Sequence, residues 1–190
     1  LFCRHFTRSQ RPQTPNHTEI MEDNESDNQA RLDGFFDMFD SVEDDIADLI
    51  SDENEKPLEI GGYECLIIAF SNMSIYCENA GILLKQIEDQ YKELKESQGK
   101  EGLDAFATHE NLDENNEIVN FCKILERIED SFSALEKRSE KSGENFDEWA
   151  CLLIMYSYLR NFCEKEEVDF DMLQKEISRI HSEMDKDKNS

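Results

Sequence analysis

The chain has 190 residues, 38% hydrophobic and 34% charged, with 7 Gly and 3 Pro, a balance that suits long amphipathic helices rather than β-sheet. Its formal charge of -25 at pH 7 repels phosphate, which argues against nucleic acid and bare anionic bilayers as direct ligands. The length allows one ordinary domain plus an extension.

Residues 1–18 contain Arg4, Arg8 and Arg11 and no acid, unlike everything that follows. Pro12 and Pro15 would break the amphipathic helix of a transit peptide, so this stretch reads as sequence ahead of a start at Met21. Residues 19–59 carry 16 acids against Arg31 and Lys56, which predicts a largely disordered N-terminal segment reaching residue 58. Inside it, Phe35, Phe36, Met38, Phe39, Val42, Ile46, Leu49 and Ile50 recur at helical spacing. Such a stripe is either a docking segment that folds against a partner or a helix capping the protein's own bundle. Phe35-Phe36-Asp37-Met38-Phe39 also matches the FxDxF pattern that engages clathrin-adaptor appendages, two rings filling apolar pockets while Asp37 meets a basic rim. Phe35, Phe36, Asp37, Met38, Phe39, Ile46 and Leu49 are therefore the candidate partner-binding residues.

Pro57 and Gly61-Gly62 open the ordered part, residues 59–190. Tyr63, Leu66, Phe70, Met73, Cys77, Ala80, Leu84, Ile87, Tyr91 and Leu94 follow at alternating three- and four-residue steps, a heptad seam that predicts one helix from about Glu59 or Gly62 to about Glu96. After Gly99 and Gly102, a stripe through Ile118, Cys122, Leu125, Ile128, Phe132 and Leu135 predicts a second helix from about Asp113 to Arg138. The third begins at an Asn145 cap and reaches about Met184, its seam running from Trp149 to Met184 with Glu166 as the lone polar member. The expected fold is all-α, an elongated bundle of three long amphipathic helices. A thin rod of this kind leaves apolar flanks uncovered, so dimerisation is expected, with Leu66, Ile67, Phe70, Leu153 and Ile154 at the interface.

Signs of catalysis are lacking in the sequence: it has no glycine-rich phosphate loop, no GxSxG and no HExxH. His109 and His181 stand isolated, and the six cysteines (3, 65, 77, 122, 151 and 163) form no CxxC pair, so reduced thiols are expected. No catalytic residue, cofactor or metal is assigned, and no apolar run is long enough to cross a bilayer.

Glu144-Asn145-Phe146, the stretch Leu153 to Leu159, and Cys163 to Phe170 together resemble the second helix of the BAR region of sorting nexins. Phe70 to Tyr76, with Gly81, Leu84 and Ile87, is similar to that region's first helix. The resemblance covers about 120 residues and implies a dimerising helical module on tubular endosomal membranes. The chain departs from it: no phosphoinositide-binding PX domain precedes the helices, the final BAR helix is truncated or absent, and a basic concave face is not evident.

The leading expectation is thus a non-enzymatic cytoplasmic scaffold in endosomal sorting, forming a homo- or heterodimer with indirect membrane association and no nucleic acid. Two other readings compete. One is a coiled-coil subunit of a larger assembly without membrane contact. The other is an acidic regulator that binds basic proteins.

Overall fold

The computed structural model describes residues 19–52, 61–104, 116–142 and 146–188. Among these every regular element is a helix: α1 (Glu19–Asp52), α2 (Gly62–Ala80), α3 (Leu84–Asp104), α4 (Glu117–Ser142), α5 (Glu148–Lys165) and α6 (Phe170–Lys188). The all-α expectation holds, but six helices replace the three long ones.

Two breaks account for much of the difference. The first predicted helix, expected to run unbroken to about Glu96, ends at Gly81, whose φ of 70° is the left-handed conformation that glycine adopts without strain. Gly81 N–H donates to Glu78 O at 3.2 Å and Ile82 N–H to Cys77 O at 2.7 Å, closing a Schellman cap. Beyond it the axis turns by 114° into α3. The third predicted helix breaks in the same way at Glu166–Asp169. Glu166 N–H donates to Phe162 O at 2.9 Å and Val168 N–H to Cys163 O at 2.8 Å, with Glu167 held at φ 53°. Asp169 then caps α6, accepting from the N–H groups of Asp171 and Met172 at 3.0 and 3.2 Å. Asn145, the expected cap, lies outside the described residues; the N-cap of α5 is Asp147, which accepts from Ala150 N–H at 2.9 Å.

The acidic segment is also helical. As α1 it places Leu32, Phe35, Met38, Phe39, Val42 and Ile46 in the core, so between residues 19 and 52 a bundle helix stands where disorder was expected. The reason is the apolar i, i+3, i+4 stripe, which finds its second face on α2, α4 and α5 of the same chain. Residues 1–18 and 53–60 lie outside the described residues.

The two most apolar helices sit at the centre. α2 packs against α1, α4, α5 and α6, while α5 packs against α4, α1, α2 and α3. Exchanging α1 with α4, α2 with α5 and α3 with α6 leaves these pairs unchanged. The sequence carries the same exchange at a constant offset of 86 positions: Val42-Glu43-Asp44 recurs as Ile128-Glu129-Asp130, Cys65-Leu66 as Cys151-Leu152, Ser71 as Ser157 and Cys77-Glu78 as Cys163-Glu164. Burial repeats with it, since Phe35 and Phe121, Val42 and Ile128, Leu66 and Leu152, Phe70 and Tyr156, and Ile87 and Leu173 are all core residues. The chain is a tandem pair of three-helix repeats. The third helix of each packs on the middle helix of the other, α3 on α5 and α6 on α2.

Candidate functional site

The proposed docking residues are mostly spent inside the molecule. Phe35 is fully buried and meets Phe132 and Tyr76 edge-on, with ring centres 5.4 and 6.0 Å apart. Phe39 reaches the same Phe132 ring at 5.4 Å. Met38 and Ile46 are buried, Phe36 and Leu49 half-buried, and Asp37 alone of the seven is exposed. A linear FxDxF segment cannot offer both rings to a partner while α1 stays in place. Of the predicted dimer contacts, Leu66 and Phe70 are core residues and cannot form an interface, because the layer they lacked is supplied by α5 and α6 of this chain. Ile67, Leu153 and Ile154 are half-buried against that core. Ile67 and Leu153 occupy equivalent places in the two repeats.

Where the repeats meet, they differ in a concerted way. Glu148, 4% exposed at the start of α5, accepts a hydrogen bond from the Tyr76 hydroxyl at 3.0 Å. The Arg31 guanidinium donates to its other oxygen at 3.4 Å, and the Arg31 carbonyl lies 2.9 Å from the same hydroxyl. Burial and the neighbouring Glu148 push the Tyr76 phenol above its ordinary range. At the equivalent place stands Gly62, opposite Phe162. A Cβ on Gly62 would lie 2.9 Å from Phe162 Cζ, so the ring fills the volume that a side chain would need. Glu117, the counterpart of Arg31, accepts the Gly62 N–H at 2.9 Å. Sequence reading missed Glu148 and Tyr76, and the 86-residue self-similarity was the signal that would have found them.

The second feature is an acidic surface over α1 and α4. Asp40, Asp44, Glu126 and Asp130 are exposed there, and Glu43 and Glu129 are half-buried between them. Burial first, then the charges of Glu129, Asp40, Asp44 and Glu126, raise Glu43 to about 7. Glu129 is raised for the same kind of reason, by burial and then Asp130, Asp40 and Glu126. The row is present in both repeats at equivalent positions, whereas Asp37 has Lys123 as its counterpart and Ser41 has Arg127.

The raised Glu43 makes stability depend on pH. Between its unfolded value near 4.5 and its folded value near 7 the native state keeps a proton that the unfolded chain has lost, so stability falls as pH rises through that window. Glu43→Gln removes the penalty. Discounted for its half-buried position, the gain at pH 8 is about 1–2 kcal/mol and vanishes toward pH 4. Denaturant titrations of both proteins at pH 5 and pH 8 test this; an equal difference at the two pH values refutes it.

The buried thiols are poor nucleophiles. Burial pushes Cys65 and Cys163 up to about 12 and Cys77 to about 11, and raises Cys151 as well. Among the described residues no group of three or more His, Cys, Asp or Glu is arranged to hold a metal ion, and no single helix is long and apolar enough to cross a membrane. No family model, curated protein or solved structure matches this chain.

Proposed function

We propose that the protein is a non-enzymatic helical interaction scaffold whose acidic α1–α4 surface receives a basic segment of a partner protein. The observation that carries this reading is the row of Asp40, Glu43 and Asp44 with Glu126, Glu129 and Asp130. It is kept at equivalent positions of both repeats, and burial followed by the charges of its neighbours raises Glu43 to about 7. A basic segment laid across it relieves that crowding, so association is strongest at low salt and releases a proton from Glu43. The expected result is that a lysine-rich histone-tail peptide binds the full chain and weakens steeply between about 50 and 300 mM salt. The variant Asp40→Lys/Asp44→Lys/Glu126→Lys/Asp130→Lys should lose binding while keeping its helical signal. Equal binding by that variant would remove the proposal.

A second reading retains the dimerising endosomal scaffold. Ile67, Leu153 and Ile154 favour it, since they keep part of their apolar surface outside the core. Paired charge substitution, Ile67→Glu with Leu153→Glu, is expected to halve the mass in solution if this surface joins two copies. An unchanged mass removes the interface, and with it the support for a membrane-shaping dimer.

A further inference from the structure

We infer that the two repeats are specific partners of one another, a fused heterotypic pair whose members discriminate against their own kind at the Gly62–Phe162 and Glu148–Tyr76 contacts. Each repeat is incomplete alone, because the middle helix of one is covered by the third helix of the other: α2 by α6, α5 by α3. The rings Phe70 and Phe170, with centres 5.2 Å apart, belong to different repeats, and so do Tyr91 and Tyr156 at 5.5 Å. Any pairing of repeats, like or unlike, has to bring the first residue of one middle helix against the aromatic ring fourteen positions along the other.

The side chains at those places fit only one combination. In the observed pairing the buried Glu148 carboxylate meets a phenol that donates to it, and Arg31 lies on its other oxygen. The bare Gly62 meets a ring with no hydroxyl, packed so close that a Cβ would be 2.9 Å from Cζ and 3.0 Å from Cε1. Two copies of the second repeat would press Glu148 into Phe162 twice, burying a carboxylate with no donor, and would put Glu117 where Arg31 belongs. That combination is excluded by both volume and charge. Two copies of the first repeat would place the Tyr76 hydroxyl, carried on the ring atom that comes nearest, against Gly62, and would leave Arg31 without its carboxylate. Unlike pairing is favoured over both alternatives, as in interfaces where a repulsive element excludes the wrong partner.

The test uses the full chain with a protease site inserted between α3 and α4. After cleavage the two halves, distinguishable by mass, are unfolded in denaturant, refolded together and weighed by native mass spectrometry. The expected species is the 1:1 pair, at least tenfold over either like pair. A statistical 1:2:1 mixture overturns the selectivity, and halves that separate on cleavage overturn the mutual completion. In the uncut chain, Gly62→Glu is expected to lower the thermal midpoint by roughly 5–10 °C. Adding Phe162→Tyr and Glu117→Arg rebuilds at the first site the trio found at the second, and should restore at least half of the loss. A triple variant no more stable than Gly62→Glu alone would show that the two sites are not equivalent.

Discussion

Replacing Phe35 and Phe39 together by alanine is expected to abolish cooperative folding. Both are buried, at 0% and 2% exposure, and both lean edge-on against Phe132, with Phe35 also against Tyr76 and Phe36. Each truncation removes an aromatic side chain from a close-packed site, a loss of about 3–5 kcal/mol. Because the two rings share Phe132 their costs are not strictly additive, yet a combined loss of roughly 6–8 kcal/mol rivals the entire stability of an ordinary domain. Circular dichroism on heating should show a broad, shallow transition in the double variant where the parent melts sharply. Asp37→Ala, on the exposed side of the same helix, should leave the melt within about 0.5 kcal/mol of the parent. If the double variant instead melts like the parent and loses only a binding partner, α1 is a detachable docking segment and its place in the core is wrong.

Helix type and much of the core register were readable in the sequence. Leu66, Phe70, Met73, Cys77, Ile87 and Tyr91 were picked out by heptad spacing, and all are buried. The spacing could not show the bend at Gly81, because the steps from Cys77 through Ala80, Leu84 and Ile87 stay in heptad register across it. A reversal of chain direction changes which helix a seam faces, not the intervals between its apolar members. Glu166, the one polar residue in the second seam, was the local sign of a break; it is the C-cap of α5. In α1 the apolar stripe was legible but its fate was not. Sixteen acids set the composition of residues 19–59, and composition reports average solubility rather than the one face that packs. Leu66 and Phe70 drop out of the expected interface for a related reason: they did need a second layer, and the other repeat supplies it. That repeat stayed hidden because identities such as Cys65 with Cys151 and Ser71 with Ser157 are scattered among conservative exchanges, Phe70 with Tyr156 or Met73 with Leu159. The offset emerges only when the chain is laid against itself at 86 positions, and most of the matched apolar pairs prove to be core residues.

The exchange of Phe70 for Tyr156 carries the second large expected effect: Tyr156→Phe should make the protein more stable. Tyr156 is completely buried, its ring set edge-on to Tyr91 at 5.5 Å, Phe70 at 5.9 Å and Phe170 at 6.3 Å. Its hydroxyl is buried without a hydrogen-bond partner among the described residues, and Phe70, in the equivalent place, has no hydroxyl to satisfy. Taking an unpaired hydroxyl out of water costs about 1–3 kcal/mol, and deleting it leaves the aromatic packing intact. The variant should therefore gain about 1–2 kcal/mol, raising the thermal midpoint by several degrees for a chain of this size. Tyr91→Phe is the proper contrast, since the Tyr91 hydroxyl donates to Asn161 Oδ1 at 3.1 Å. Its removal breaks a hydrogen bond and strands the amide oxygen, so a loss of about 0.5–1.5 kcal/mol is expected. Opposite signs for two neighbouring Tyr→Phe changes cannot come from a general effect of losing a hydroxyl. If Tyr156→Phe proves destabilising, its oxygen has a polar neighbour in solution and the aromatic cluster around it is less closely packed than the structure shows.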